Sequence, residues 1–142
     1  MTAEVERETR QLIEAAMEAR ERALACFSNF RVGAALETED GTIYTGCNVE
    51  SAVYGMTMCA ERVAMWKSLS EGARCFKRLA VVADTERLTP PCGACRQIIW
   101  EFCGNIPIIL GNLRGDAETL RMSELLPRPF DATFLGEGGG QG

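Results

Sequence analysis

Two short segments hold the residue types that can do chemistry. Thr57-Met-Cys-Ala-Glu-Arg62 places a cysteine two positions before a glutamate, and Pro90-Pro-Cys-Gly-Ala-Cys-Arg-Gln97 places two cysteines three apart. The chain has 142 residues and no histidine. That excludes serine–histidine and cysteine–histidine dyads, His-x-x-x-His metalloproteases and every imidazole metal ligand. A soft-metal site must then be built from thiolates, and proton transfer near neutral pH falls to Glu, Asp, Cys, Lys or Tyr. There are seven cysteines, an odd number, and a chain of this length needs no disulfide staples. They are expected to be thiols, with Cys59, Cys92 and Cys95 as metal ligands.

Each segment is expected to open a helix after a strand-to-helix connection. Cys92 and Cys95, three apart, share one helix face, and Cys59 enters from the other helix. Three thiolates leave one tetrahedral position open, the pattern of a catalytic rather than a structural zinc. Each helix N-terminus presents about half a positive charge to that anionic cluster. Arg62 and Arg96 lie beside the ligands and are expected to donate to the sulfurs, which keeps the metal Lewis-acidic. Counted along a helix, Glu61 points about 200° away from Cys59, poorly placed as an inner ligand but free to lie over the open position and carry protons. A Cys-x-x-Cys pair alone also fits a redox pair or half of a structural zinc knuckle; the combined set is far more specific. Cys26, Cys47, Cys75 and Cys103 are expected to be small core residues.

The surrounding elements must bring these segments together. Apolar residues at helical spacing predict a helix over Glu4–Phe27. Arg31–Glu37 and Thr42–Val49 read as strands joined by the turn signal Glu39-Asp40-Gly41. A second helix is expected from Thr57, with Gly72 just past its end. Leu79–Ala83 reads as a strand covered on both faces. A third helix runs from after Pro91 to Gly104, and Ile106–Leu110 is a further strand. Thr119–Leu126 reads as a short strand and a turn of helix. This order predicts one α/β domain over residues 1–135, with parallel pairing through the central β-α-β-α-β stretch, an antiparallel edge from the initial hairpin that makes the sheet mixed, and a disordered Gly-rich tail over 136–142.

Composition bounds the function. The formal net charge of −5 argues against a nucleic-acid partner. No apolar run approaches the roughly 18 residues needed to cross a bilayer, so no membrane association is expected. The charged N-terminus MTAEVERETRQ does not read as a signal peptide, and the expected location is cytoplasmic.

From about Ala23 to Phe130 the sequence resembles the small homotetrameric cytidine deaminases. Phe27-Ser-Asn-Phe-Arg-Val-Gly-Ala-Ala-Leu36 is similar to that family's Tyr-Ser-x-Phe-x-Val-Gly-Ala-Ala-Leu block, and Gly46-Cys-Asn-Val-Glu50 to its Gly-x-Asn-x-Glu. Cys59-Ala-Glu-Arg62 and Pro91-Cys-Gly-Ala-Cys-Arg-Gln97 resemble its two zinc motifs, and Glu124-Leu-Leu-Pro127 with Phe130 its C-terminal block. The combination of Cys-x-Glu with Pro-Cys-x-x-Cys is a zinc deaminase pattern in which cysteine replaces histidine.

The resemblance implies a three-layer cytidine deaminase-like fold, a mixed five-stranded sheet flanked by helices. It implies one Zn²⁺ per chain on Cys59, Cys92 and Cys95, with Arg62 softening the thiolate charge. Glu61 would take a proton from the attacking water and deliver protons to N3 and then to the departing amine of cytidine or 2′-deoxycytidine. Phe30, Asn48, Glu50 and Ala60 would hold the nucleoside, with Asn48 and Glu50 on the ribose side. Tyr54 and Phe130 would reach the pocket from neighbouring subunits of a homotetramer. A buried Glu50 would accept a free 3′-hydroxyl and repel a 3′-phosphate, by about 4 kcal/mol for unit charges about 4 Å apart at an effective dielectric near 20.

Two departures stand out. Leu24-Ala-Cys-Phe27 replaces the family's Tyr-x-Pro-Tyr, and Pro90 replaces its usual Ser or Thr, although proline keeps the backbone carbonyl. The readings set against this one are a blasticidin S-like nucleoside deaminase, whose relatives depart at the Glu50 position, and a non-catalytic zinc or redox module, which requires a fourth protein ligand or a Cys92–Cys95 disulfide.

Overall fold

The computed structural model describes residues 3–136. In chain order the elements are α1 (Ala3–Arg20), β1 (Val32–Thr38), β2 (Ile43–Cys47), α2 (Ala60–Ser70), β3 (Phe76–Ala83), α3 (Gly93–Cys103), β4 (Pro107–Gly111), β5 (Ala117–Arg121) and the short α4 (Met122–Leu125). Single 3₁₀ turns lie at Tyr54–Met56 and Ala132–Leu135. The strands form a mixed five-stranded sheet in the order β2-β1-β3-β4-β5. Among the described residues its only parallel strand pair is β3–β4. Parallel pairing through the whole central stretch is therefore corrected: β1 lies between β2 and β3 and runs antiparallel to both. The hairpin partner β2 is left at the edge, so the connection through α2 skips one strand.

Side chains alternate across a strand, and this sorts the core into two halves. Ala35, Ala80, Val82 and Ile109 face α1, where Leu12 and Ala16 cover them. Leu36, Leu79, Val81 and Ile108 face α2 and α3, against Ala64, Met65, Cys95 and Ile99. The central strands are thus buried on both sides, which explains the unbroken apolar run at Leu79–Ala83.

Glycines set how closely the helices approach. A Cβ on Gly33 would fall 1.9 Å from the Ala16 carbonyl of α1. One on Gly46 would fall 2.5 Å from the Ala60 carbonyl and 2.6 Å from the Ala64 nitrogen. The first turn of α2, which follows Cys59 and contains Glu61, therefore rests directly on the backbone of β2.

Tertiary pairing accounts for three of the boundaries that differ from the sequence reading. Helix α1 stops at Arg20 rather than Phe27 because the backbone of Leu24 pairs with Asn48 and Glu50. Strand β2 ends at Cys47 because the Asn48 side chain takes the next hydrogen bond, accepting from the Val32 nitrogen at 2.9 Å. Helix α2 starts at Ala60 rather than Thr57 because Met58 pairs with Val49. The expected end signals are in place: Gly72 and Gly104 take positive φ just beyond α2 and α3. Of the Gly-rich tail, 137–142 lies outside the described residues. No described helix is long and apolar enough to cross a membrane.

Substituting Gly46→Ala is expected to lower stability by about 1–3 kcal/mol, because backbone atoms of α2 must move away from β2. Gly93→Ala, with nothing within 4 Å of the added carbon, is expected to stay within about 0.5 kcal/mol of the parent. Denaturant titration of the two variants checks this, and equal stabilities contradict it.

Candidate active site

The backbones of α2 and α3 bring the three sulfurs together. Cys59 and Cys92 are the N-cap residues of these helices, in extended conformation just before the first turn. An N-cap side chain usually folds back onto the helix amides. Neither cysteine does so, and both sulfurs turn toward a common point instead. Cys95 joins them from the first turn of α3 and is fully buried. The three sulfurs lie within 4.8 Å of one another, with Cys59 and Cys92 4.0 Å apart. Tetrahedral Zn–S bonds of about 2.3 Å need sulfurs about 3.8 Å apart, so the donor set fits one zinc ion. No fourth Cys, Asp or Glu joins the cluster among the described residues, and all seven cysteines are free thiols.

Charge around the cluster favours a thiolate at Cys59. The Arg62 guanidinium donates to the Cys59 sulfur at 3.4 Å. A hydrogen bond from the Cys95 thiol, then Arg62, holds the Cys59 thiol well below its ordinary range. Sharing that proton with Cys59, together with burial, pushes Cys95 up. The Arg62 Nε is buried with no hydrogen-bond partner among the described residues, which suits a cluster more negative than three thiols. Arg96, expected to donate to the sulfurs, does not: it donates to the Pro91 carbonyl and the Leu125 carbonyl, each at 2.8 Å. It pins the turn before Cys92 to the C-terminal segment.

Glu61 is 4% exposed. Burial pushes its carboxyl up to about 7, and the neighbouring Cys59 adds to the rise. Because Cys59 sits outside the helix, the count of about 200° between the two does not apply. Both residues line one cavity of about 290 Å³, together with Phe30, Asn48, Glu50, Ala60 and Cys92. A larger cavity of about 520 Å³ between α1 and the β4–β5 turn contains no thiol, so the reactive groups belong to the smaller one.

The opposite wall is a loop held by two polar side chains. Asn48 donates to the Phe30 carbonyl at 2.8 Å and accepts from Val32, so its amide braces the loop that carries Phe30. Glu50 accepts from the backbone nitrogens of Phe27 and Ser28 at 2.8 and 2.9 Å and from the Ser28 hydroxyl. Those bonds, the Ser28 hydroxyl first, hold its carboxyl below the usual range. Glu50 is half-exposed in the single chain rather than buried as expected.

Tyr54 and Phe130 do not line this chain's own cavity. Tyr54 is 75% exposed, with its ring edge-on to Phe27, and Phe130 stacks on Phe134. The reading of Cys26, Cys47 and Cys75 as core residues is corrected: Cys26 and Cys75 are exposed because they sit in connections, and Cys47 is partly buried. Cys103 is partly buried and packs against the core as expected. Sequence reasoning assigned no role to Ser28, Thr57 or Thr89, which also line the cavity. Only Ser28 had a sequence signal, as part of the Phe-Ser-Asn-Phe block.

Comparison with known proteins agrees with this geometry. Residues 6–109 match the family described as the cytidine and deoxycytidylate deaminase zinc-binding region. A cytidine deaminase from Sporosarcina psychrophila is 55% identical over 126 residues, 88% of this chain and 93% of the relative. One from Halalkalibacterium halodurans is 50% identical over 127 residues, 89% of this chain and 96% of the relative. The crystal structure of cytidine deaminase from Burkholderia pseudomallei superposes with a TM-score of 0.83 at 45% identity, covering 92% of this chain and all of that one.

Reconstitution is expected to load about one zinc per chain and to protect three of the seven thiols from a thiol reagent. Binding displaces thiol protons, so affinity falls as pH is lowered. Chelator competition from about pH 5 to about pH 8, below the ordinary thiol value of about 8.5, measures that slope. Unchanged thiol reactivity on zinc addition contradicts the site.

Proposed function

The chain belongs to the cytidine and deoxycytidylate deaminase family, and from that premise we propose that it hydrolyses the C4–amino bond of cytidine and 2′-deoxycytidine. Water adds its oxygen at C4, the C–N bond breaks, and ammonia leaves uridine or 2′-deoxyuridine behind. The observation that carries this reading is the convergence of three sulfurs and one buried carboxyl on a single nucleoside-sized cavity. A zinc ion bound to Cys59, Cys92 and Cys95 supplies the Lewis acidity that makes water a usable nucleophile near neutral pH.

The chain's own residues do the rest. Glu61, with a carboxyl raised to about 7, accepts and returns protons with similar ease at neutral pH. It takes a proton from the attacking water, gives one to N3 and passes another to the leaving amine. Arg62 draws charge from the Cys59 sulfur. Ala60, at the first position of α2, offers a backbone N–H with no partner inside the helix to a base oxygen. Phe30 packs on the nucleoside, and Asn48 and Glu50 face its ribose. A free sugar hydroxyl suits Glu50, whereas a phosphate there meets a carboxylate held ionised, so nucleosides are preferred over polynucleotides.

We also read Tyr54 and Phe130 as parts of neighbouring subunits' sites in a homotetramer, a soluble assembly acting in cytoplasmic pyrimidine salvage. Their exposure in the single chain supports this; a monomer in sedimentation velocity rules it out. The absence of a fourth ligand among the described residues disfavours a purely structural zinc.

Incubation with cytidine is expected to yield uridine and ammonia in equal amounts. Glu61→Gln is expected to lower kcat by at least about 100-fold with zinc content retained. A variant with full zinc and near-normal turnover contradicts the role of Glu61. Faster turnover of blasticidin S than of cytidine overturns the substrate assignment.

A further inference from the structure

The Ser28 hydroxyl sits at the centre of a small hydrogen-bond relay on the cavity wall. Its oxygen accepts from the Phe30 nitrogen at 3.0 Å, and its proton goes to Glu50 Oε2. The other oxygen, Oε1, is filled by the backbone nitrogens of Phe27 and Ser28. An ionised carboxylate offers about four lone-pair sites. Three are taken here by the 27–28 turn, and the one left over lies on Oε2. Both Ser28 and Glu50 line the 290 Å³ cavity with Phe30.

We propose that Ser28 is a positioning residue that fixes the Glu50 carboxylate so that one acceptor site, and only one, is presented to the sugar. It acts through Glu50 and does not touch the reacting atoms. This rests on the proposed nucleoside deamination and deepens it. A single open acceptor takes one sugar hydroxyl; on the proposed function that is the 3′-hydroxyl, so cytidine and 2′-deoxycytidine depend on Ser28 alike. The turn that supplies it follows Leu24-Ala-Cys-Phe27, where the sequence departs from the family block it resembles. The two amides facing Glu50 come from the backbone, which those side-chain changes leave in place.

The test uses zinc-loaded protein and three substrates: cytidine, 2′-deoxycytidine and 3′-deoxycytidine. With Ser28→Ala, KM for cytidine and 2′-deoxycytidine is expected to rise about tenfold or more, the scale of a hydrogen bond to a charged group, with kcat within about threefold. Ser28→Thr keeps the hydroxyl and is expected to restore most of the loss. For 3′-deoxycytidine, which lacks the hydroxyl that Glu50 would read, Ser28→Ala and the parent are expected to behave alike. Equal losses on all three substrates, a loss confined to kcat, or no loss at all overturns the proposal. Ser28 is exposed in the chain, and zinc content with melting temperature verifies that the variant is folded. A parent protein inactive on all three substrates brings down the proposed reaction itself. An active parent with an unresponsive Ser28→Ala brings down this inference alone.

Discussion

The structure depends on two helix beginnings meeting at one point. Without histidine, this chain has only sulfur to offer a soft metal, and three thiolates in one place repel one another. The arrangement offsets that repulsion in two ways. Both α2 and α3 aim their positive N-terminal ends at the cluster, and Arg62 sits against one sulfur. The sheet makes the meeting possible, because α2 and α3 lie on the same face, packed over Leu36, Leu79, Val81 and Ile108. Gly46 then lets α2 settle onto β2 until Cys59 is within reach of Cys92.

The same packing that builds the sulfur cluster buries Glu61 and so gives it a useful acidity. A carboxyl exposed on the first turn would stay ionised at neutral pH and hold no proton to give. Burial, and then the neighbouring Cys59, push it up to about 7 instead. The sulfur cluster and the raised carboxyl are thus two consequences of one helix being seated on one strand. Across the cavity, Asn48 and Glu50 do two jobs at once. Each braces the loop over Phe27–Val32, and each remains at the cavity wall.

Much of this was legible in the sequence because the relevant constraints are local. Cysteine spacing, the apolar run of β3 and the glycines beyond α2 and α3 each act within a few residues. What was not legible came from contacts between distant segments. The stop of α1 at Arg20 is set by Leu24 pairing with residues 48 to 50, which no helical periodicity can foretell. The same pairing brings Ser28 to Glu50 and so creates the relay. The misreading of Arg96 has a similar origin: adjacency to Cys95 suggested a sulfur partner, but the carbonyls of Pro91 and Leu125 claim its guanidinium. The polar cysteine positions Cys26 and Cys75 escaped because burial follows from where a connection runs, not from residue type.

The central claim is a zinc ion with three sulfur ligands and one position left for a light atom. X-ray absorption at the zinc edge of the loaded protein measures this directly. The account predicts three sulfurs at about 2.3 Å and one oxygen or nitrogen near 2.0 Å. Four sulfur ligands, or a shell with one sulfur or none, would contradict it.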